Sequence, residues 1–272
     1  MRRRNILLTG AFGGLGEATI KQLKEESWHV FATDSNQGIL QKYFGDKRVT
    51  PIVMDVTDQN SIDDAFTSIA EQIPGLDAII NIAGVLVIGS VAEVPVETVQ
   101  KVLDINVLGT YRVNQQFLPL VIHQKGRIIN VSSETGWQSA SPFNGVYALS
   151  KHAIEAYSDA LRRELAFIDV KVIKIQPGPL KTEMTKQVVG LFEAEGKKSG
   201  LFEKQLSKAL TYLPDVYKNA NEPSLFAKIV LKALTEPKPK TAYSLKPDKT
   251  RSFLDKLPVK WADKLIKRAL DK

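Results

Sequence analysis

A tyrosine and a lysine four residues apart could form an acid–base pair. Tyr147 and Lys151 occur in the stretch YALSK, which begins a segment with helical periodicity. Positions i and i+4 are neighbours on a helix surface, so the phenol and the ammonium group would lie close together. An unperturbed tyrosine has a pKa of ~10, and a nearby positive charge favours its phenolate form. The pair could therefore donate and accept a proton, although the same spacing also occurs on ordinary helix faces.

A glycine-rich turn near the start of the chain could bind phosphate. The stretch TGAFGGLG, residues 9–16, follows a short apolar run and precedes a helical pattern. Glycines have no Cβ, so the backbone can approach a pyrophosphate closely, and the free N–H groups at a helix start attract anions. An ordinary strand-to-helix turn could have a similar sequence, but the position between a strand and a helix favours cofactor binding.

An acidic residue at the end of the next apolar run, Asp34, indicates which dinucleotide would bind. A carboxylate at this position accepts hydrogen bonds from the ribose hydroxyls and repels a 2′-phosphate. Residues 5–20 and 32–41 contain no lysine or arginine that could neutralise such a phosphate. We therefore expect NAD rather than NADP. The alternative is that Asp34 is only a turn residue, because Asp-Ser-Asn is also a turn signal.

Strands that alternate with helices must position these residues. The strand-like runs, rich in Ile and Val, are NILLTG, HVFATD, VTPIVMDV, LDAIINIAG, GRIINVSS and VKVIKIQPG. Near-continuous apolar strands separated by helices predict an α/β fold with a doubly wound parallel sheet, the Rossmann fold. We expect one domain over residues 1–235, in which helices over residues 183–222 form a substrate lid above the carboxyl ends of the strands. Residues 236–272 would be a C-terminal extension, irregular over residues 236–260 and then a short helix.

Composition excludes several classes of protein. The chain has 272 residues, 43% apolar and 25% charged, the profile of a soluble globular protein. It has no cysteine, and its three histidines are scattered, so we expect neither disulfides nor a metal site. The start MRRR precedes too short an apolar run for a secretory signal, and no run reaches the ~18 residues of a membrane span. We therefore expect a cytoplasmic protein.

The net charge of +7 lies in the C-terminal part of the chain. Residues 231–272 contain 12 basic and 5 acidic residues, and the preceding residues contain 25 of each sign. No nucleic-acid-binding motif accompanies them, so we expect no nucleic acid partner. The final helix is amphipathic and basic, so it could lie on a membrane surface or pack on the body or a second subunit. Its apolar face comprises Trp261, Ala262, Leu265, Ile266, Ala269 and Leu270, and its cations are Lys260, Lys264, Lys267 and Arg268.

Seven short motifs in this order resemble the short-chain dehydrogenase/reductase family in its single-domain form. They are TGxxxGxG at residues 9–16, Asp55-Val56, Asn81-Ile82-Ala83-Gly84, Asn106 in LDINVLGT, Ser133 in NVSSETG, Tyr147-x-x-x-Lys151 and Pro177-Gly178-x-x-x-Thr182. They cover roughly residues 4–185, about two-thirds of the chain. The chain departs from the family at Ile82, where a second asparagine is usual. It is also one residue longer than usual between Ser133 and Tyr147.

The resemblance implies an enzyme that transfers a hydride between a nicotinamide cofactor and a secondary alcohol or ketone. Tyr147 would be the general acid/base, and Lys151, together with the positive charge of the nicotinamide, would lower the pKa of Tyr147. Lys151 would also bind the nicotinamide ribose. Ser133, or alternatively Ser132, would hold the substrate oxygen, and Asn106 would fix a water beside Lys151. The cofactor would contact Thr9, Gly10, Phe12, Gly14, Leu15, Gly16, Asp34, Asp55, Val56, Asn81, Ala83, Gly84, Tyr147, Lys151, Pro177, Gly178 and Thr182.

Two chemical classes of substrate fit the sequence, and a third hypothesis is that the protein is not an enzyme. An apolar set in the lid would bury a steroid, retinoid or long-chain alcohol, or would simply pack the lid onto the body. PFNGVY and the final helix resemble hydroxysteroid and retinol dehydrogenases, which favours the apolar substrate. The set is Val188, Val189, Leu191, Phe192, Leu201, Phe202, Leu206, Leu210, Tyr212, Leu213 and Tyr217.

The alternative substrate is an acyl group carried on acyl carrier protein or coenzyme A, as in 3-oxoacyl reductases. Lysines on the lid could attract such a carrier, although lysines on helices are most often only solvated. A non-catalytic, cofactor-binding regulator is a further alternative, but the intact set of catalytic residues argues against it. In any of these cases we expect a homo-oligomer, a dimer or a tetramer. The lysines are Lys186, Lys197, Lys198, Lys204 and Lys208.

Overall fold

Seven parallel strands form one sheet at the centre of the molecule. The computed structural model describes residues 4–218, 220–246 and 248–271, without the side chains of residues 215–217, so the side chain of Tyr217 lies outside the description. The strands are β1 (Asn5–Thr9), β2 (His29–Asp34), β3 (Val49–Val53), β4 (Ala78–Asn81), β5 (Arg127–Val131), β6 (Lys171–Pro177) and β7 (Ala242–Leu245). Their order is β3-β2-β1-β4-β5-β6-β7, which confirms the predicted doubly wound α/β fold.

Helices cover both faces of this sheet and form the lid above it. A π-helical turn (Asp104–Gly109) and two 3₁₀ turns (Glu134–Gly136 and Ala166–Ile168) lie between the longer elements. The helices are α1 (Gly14–Glu25), α2 (Gly38–Lys42), α3 (Gln59–Ala70), α4 (Val96–Leu103), α5 (Thr110–His123), α6 (Gly145–Leu165), α7 (Glu183–Lys198), α8 (Glu203–Leu210), α9 (Leu213–Lys218), α10 (Pro223–Thr235), α11 (Lys249–Leu254) and α12 (Val259–Asp271).

The continuous apolar strands arise because both faces of the sheet are buried. Successive residues of a strand point to opposite faces. On β1, Ile6 and Leu8 pack in one cluster with residues of α1 and α10, whereas Leu7 packs in a second cluster with residues of α3 and α5. The strand register places Thr9 beside Asn81 and Asn81 beside Asn130. The carboxyl ends of β1, β4 and β5 therefore form one edge, and the predicted catalytic and cofactor motifs follow it.

The prediction of irregular structure over residues 236–260 was wrong in two places. Residues 242–245 form the edge strand β7, which pairs in parallel with β6, and residues 249–254 form α11. Tyr243 and Leu245 are buried because they point into the core from this strand. No periodic pattern indicated this strand, since a four-residue strand near several prolines is too short to show one. Part of the predicted extension is therefore part of the sheet.

The lid packs on the body mainly through its own apolar residues. Val188, Phe192 and Leu206 are buried with Ile88 and Phe143 of the body. Further residues of the predicted apolar set are partly buried against this cluster, namely Leu191, Phe202, Leu210 and Leu213. Most of the set thus stabilises the lid, and its apolar character alone does not indicate the substrate.

The final helix α12 packs on the lid. Leu270 packs against the lid cluster, the Tyr212 hydroxyl donates to the Ala269 carbonyl at 3.2 Å, and Gln205 Nε2 donates to Asp271 Oδ1 at 3.2 Å. One part of the predicted apolar face is therefore buried within the chain. Among the residues that the structure describes, no helix is both long and apolar enough to cross a membrane.

Candidate active site

The glycine turn lies between the ends of β1 and β4, and only glycine fits two of its positions. Gly10 has a φ of +69°, and a Cβ there would lie 2.8 Å from the backbone nitrogen of Ala83. A Cβ on Gly16 would overlap the carbonyl oxygen of Gly10. Thr9 Oγ1 accepts hydrogen bonds from the backbone N–H groups of Ile82 and Ala83, both at 3.2 Å. The turn is thus held against β4, and α1 begins directly after it.

A cleft of about 310 Å³ lies over this turn. It is bordered by the carboxyl ends of the first four strands and by the start of α7, where the Thr182 side chain packs 3.4 Å from the Cβ position of Gly14. Glycines without Cβ atoms and a helix N-terminus suit a pyrophosphate, so the residues present fit a dinucleotide. The predicted cofactor residues that line the cleft are Thr9, Gly10, Gly14, Leu15, Asp34, Asp55, Val56, Ala83, Gly84 and Thr182.

Asp34 lines the cleft and also holds the glycine turn in place. Its Oδ2 accepts the backbone N–H of Phe12 at 2.9 Å, and its Oδ1 accepts the backbone N–H of Asn36 at 3.0 Å. The nearby cation Lys42, whose ammonium nitrogen lies 5.0 Å from the Phe12 ring centroid, forms an ion pair with Glu17. Both predicted roles of Asp34, as a turn residue and as a cleft carboxylate, are therefore compatible with its position.

Several predicted cofactor residues are not among those that line the cleft. Asn81 Nδ2 donates to Asn114 Oδ1 at 2.7 Å and to Asn130 Oδ1 at 3.0 Å, so its side chain joins β4 to α5 and β5. Gly178 packs on the strand β7, where a Cβ would overlap the carbonyl oxygen of Lys246. Others that are not among the cleft-lining residues are Phe12, Gly16, Tyr147, Lys151 and Pro177. The sequence did not indicate the asparagine network, because its members are far apart in the chain.

Ser133 and Tyr147 are brought together by the loop after β5 and the first turn of α6. The Ser133 hydroxyl lies close enough to the Tyr147 phenol to lower the pKa of that phenol, and Ser133 Oγ accepts the backbone N–H of Thr135 at 3.2 Å. Ser132 points elsewhere, because its Oγ is buried and donates to the carbonyl oxygen of Lys151 at 3.4 Å. The structure therefore places Ser133, and not Ser132, beside the phenol.

Substituting each serine separately tests this arrangement. Ser133→Ala is expected to lower turnover by at least ~10-fold, because the variant loses the hydroxyl beside Tyr147, whereas Ser132→Ala is expected to change turnover by less. Steady-state turnover of the two variants, with thermal unfolding as the control for folding, gives the comparison. A larger loss of turnover in a well-folded Ser132→Ala would reverse the assignment.

The Tyr147 phenol is harder to ionise in the protein alone than an unperturbed tyrosine. Burial, with a smaller effect from the negative charge of Glu134, raises the pKa of Tyr147 to about 12, although the Ser133 hydroxyl lowers it. Burial also lowers the pKa of Lys151 to about 8. The Lys151 ammonium lies 5.6 Å from the Tyr147 ring centroid and donates to the carbonyl oxygen of Val131 at 3.0 Å. In the protein alone, burial thus dominates the pKa of Tyr147, and the expected lowering of that pKa by Lys151 together with the nicotinamide's positive charge stays a prediction.

Asn106 links the cleft to the catalytic helix. It lies in the π-helical turn before α5, a type of distortion that is frequent at functional sites. Its Oδ1 accepts the N–H of Val85 at 2.7 Å, and its Nδ2 donates to the Val85 carbonyl at 2.9 Å and to Ser150 Oγ at 3.0 Å. Ser150 in turn donates to the carbonyl oxygen of Tyr147 at 2.7 Å. Sequence patterns did not indicate Ser150, whose contribution depends on this contact.

The arrangement can transfer a proton to or from a substrate oxygen. A phenol, a hydroxyl and an ammonium group lie close together, and Asn106 joins them to Val85, which lines the cleft. These groups need no metal for proton transfer. Within the described residues, no three histidine or carboxylate side chains cluster closely enough to hold a metal ion.

Comparisons with known proteins bear on the family. Residues 4–190 match the family model described as short chain dehydrogenase. The chain is 33% identical to a probable short-chain type dehydrogenase/reductase, VdlC, of Helicobacter pylori, over 96% of each chain. It is 30% identical to an NADPH-dependent 3-dehydrocapnine reductase of Ornithobacterium rhinotracheale, over 99% of this chain and 98% of that protein.

Two further similarities are limited, one in the share of the chain that it covers and the other in sequence identity. Human retinol dehydrogenase 16 is 35% identical over 69% of this chain and 60% of its own length. A short-chain dehydrogenase structure from Streptomyces avermitilis, 21% identical, superposes with a TM-score of 0.79 over the whole of both chains. At that identity, the structural similarity supports the fold alone.

Proposed function

From the premise that the chain belongs to the short-chain dehydrogenase family, we propose that it oxidises secondary alcohols, or reduces the corresponding ketones, with a nicotinamide dinucleotide. The observation that carries this proposal is the Ser133–Tyr147 hydroxyl pair, with Lys151 one helical turn further along α6. When bound, the cofactor would supply or accept the hydride. The protein's own groups would handle the proton.

Each catalytic residue has a role that follows from its position. Tyr147 would exchange a proton with the substrate oxygen through its hydroxyl, and Ser133 would hold the same oxygen by a hydrogen bond. Deprotonation of a phenol with a pKa of about 12 is unfavourable at neutral pH, so the site needs an added positive charge close to it. Lys151 supplies one such charge while it is protonated. Asn106 would hold the first residues of α6 in position through Ser150.

We propose that the cofactor is NAD rather than NADP. The support is the Asp34 carboxylate in the cleft, which would repel a 2′-phosphate, and Lys42, whose charge is already paired with Glu17. The relative whose name states a cofactor, the 3-dehydrocapnine reductase, is NADPH-dependent. The comparisons therefore do not favour NAD, and the proposal rests on charge alone.

Calorimetry with both cofactors tests the charge argument. Wild type is expected to bind NAD at least ~10-fold more tightly than NADP, because like charges would face each other. Asp34→Asn should reduce the difference in affinity between NAD and NADP, since the amide keeps an acceptor oxygen for the Phe12 N–H but loses the charge. Adding Ser35→Arg should then favour NADP. Equal affinities of wild type for the two cofactors would contradict the proposal.

We propose an apolar substrate of the steroid, retinoid or long-chain type. The support is the similarity to retinol dehydrogenase 16 over about two-thirds of the chain. The acyl-carrier alternative has weaker support, because two of the five lid lysines are already paired, Lys186 with Glu183 and Lys198 with Glu195. Turnover on apolar secondary alcohols, small polar alcohols and 3-oxoacyl thioesters separates the two. If the protein binds a cofactor but turns over none of these substrates, the result would favour the non-catalytic regulator.

A homo-oligomeric state and a cytoplasmic location stay predictions of the sequence.

We also propose that α12 contacts an anionic membrane surface. The lid covers only part of its apolar face, and Trp261 and Leu265, four residues apart, are 67% and 46% exposed. Lys260, Lys264 and Arg268 are exposed on the same helix and form no ion pair within the described part of the chain. An exposed aromatic residue surrounded by unpaired cations suits an interface with anionic lipids.

Vesicle sedimentation tests this contact. Wild type is expected to bind anionic vesicles weakly, to dissociate from them at high salt and not to bind neutral vesicles. The double variant Trp261→Gln with Leu265→Gln should lose binding, because both side chains are exposed and neither holds the lid. Phe44→Gln is the matched control, since Phe44 is 90% exposed and lies near α2. Equal binding by wild type and the double variant would contradict the proposal. Removing residues 253–272 is a poorer test, because it would also uncover the lid.

A further inference from the structure

A C-terminal segment, residues 248–255, is held against the loop that carries Ser133. The backbone N–H of Asp248 donates to Glu134 Oε2 at 2.5 Å, and Arg251 NH1 lies 3.5 Å from Glu134 Oε1. Asp248 also begins α11, because its Oδ1 accepts the backbone N–H of Arg251 at 2.7 Å. The segment and the loop are thus joined at the residue that directly follows Ser133.

Further polar contacts extend this junction along the loop. Gln138 Nε2 donates to Ser252 Oγ at 2.9 Å. The backbone N–H and the hydroxyl of Ser139 both donate to Asp255 Oδ1, at 2.9 and 2.6 Å. The aromatic side chain of the segment, Phe253, is 58% exposed. Polar and ionic contacts, rather than burial of this ring, therefore hold the segment in place.

The charge of Glu134 is the sensitive part of the junction. Its side chain is only 6% exposed, and burial raises its pKa, while the Asp248 N–H and the Arg251 cation lower it. A buried carboxylate without a cation is costly, and the Arg251 guanidinium is the cation that balances the Glu134 charge at this position. The same negative charge raises the pKa of Tyr147. A cation that balances the charge of Glu134 therefore also affects the pKa of Tyr147.

We infer that Arg251 is a positioning residue of the active site, which acts through Glu134 on the Ser133–Tyr147 hydroxyl pair. It touches neither the cleft nor the phenol, and its effect passes through the ion pair and the backbone of the loop. This inference rests on the proposed role of Tyr147. The α11 segment is then a functional part of the site, although it lies about 100 residues further along the chain than Tyr147.

The test compares four variants by the pH dependence of alcohol oxidation. In Arg251→Gln the unbalanced Glu134 charge opposes the phenolate more strongly, so the rise of turnover with pH moves to higher pH. At a fixed pH below that rise, turnover falls about tenfold for each unit of displacement. Glu134→Gln should move the rise to lower pH. The double variant has no Glu134 charge for Arg251 to balance. The pH profile of the double variant should therefore match that of Glu134→Gln. Arg251→Lys should restore most of the wild-type profile.

A matched control separates this role from a purely structural one. Lys249→Gln removes an exposed charge from the same helix and should leave the profile unchanged. Loss of thermal stability in Arg251→Gln without displacement of its profile would overturn the inference, because a structural contact would lower only the amount of folded enzyme.

A second readout needs no substrate. NMR of ring-labelled tyrosine, with the Tyr147 signal identified by its loss in Tyr147→Phe, follows ionisation of the phenol directly. Glu134→Gln should lower the pKa of Tyr147 from about 12. An unchanged tyrosine titration would overturn the inference, whereas a lowered pKa in a protein that turns over no alcohol would support it and contradict the proposed function alone.

Discussion

Tyr147→Phe is expected to lower turnover at least ~100-fold, the lower range for loss of a general acid or base, while the fold and cofactor affinity remain unchanged. The variant removes one oxygen, which lies near the Ser133 hydroxyl, and Tyr147 is not among the residues that line the dinucleotide cleft. The ring stays in place, so packing around the first turn of α6 is preserved. Steady-state kinetics and calorimetric titration with cofactor measure the two effects separately.

The control for this substitution is a tyrosine outside the site. Tyr111 lies on α5, is 47% exposed and packs on Tyr157 with its ring. Tyr111→Phe should leave turnover unchanged. Near-normal turnover of Tyr147→Phe would show that another group exchanges the proton, and the catalytic assignment would fail.

Lys151→Met is expected to lower turnover by about 100-fold, as for loss of a group that stabilises developing charge, and to weaken cofactor binding as well. The ammonium group lies near the Tyr147 ring and donates to Val131 at the end of β5, and it would also bind the nicotinamide ribose. Methionine has a similar length without charge. Reduced affinity for cofactor would distinguish this variant from Tyr147→Phe, which should reduce turnover alone.

The stability of the Met variant should also depend differently on pH. The folded-state pKa of Lys151, about 8, lies below the ordinary value of 10.5. Between these values the unfolded chain binds more protons than the folded chain, so the lysine makes stability rise with pH over this interval. Lys151→Met should lack that rise, whereas the exposed control Lys101→Met should keep it. Denaturant unfolding at several pH values measures the difference, and identical pH profiles would contradict the burial of the lysine.

Local sequence patterns were sufficient for most of the fold and for the centre of the site. Six strands were predicted because their apolar runs are continuous. The glycine turn was predicted because only glycine tolerates the backbone of Gly10 and the close approach at Gly16. Tyr147 and Lys151 were predicted because their spacing places both on one side of a helix.

Features that depend on distant contacts were not predictable in this way. The strand β7 is short, and its place at the sheet edge depends on pairing with β6. Asn81 is directed away from the cleft by two asparagines on other elements. The raised pKa of Tyr147 depends on burial and on Glu134, a balance that residue spacing does not reveal. The contacts of Arg251 with Glu134 likewise join segments far apart in sequence.

The most direct test of the account is reduction of cofactor by wild-type protein in the presence of apolar secondary alcohols, with Tyr147→Phe and Tyr111→Phe measured alongside. Absorbance of the reduced nicotinamide follows the reaction continuously, and NAD and NADP are compared in parallel. The account predicts turnover of at least one secondary alcohol by wild type and by Tyr111→Phe, and at least ~100-fold less by Tyr147→Phe. Binding of cofactor without turnover of any alcohol or ketone, or equal turnover by all three proteins, would contradict it.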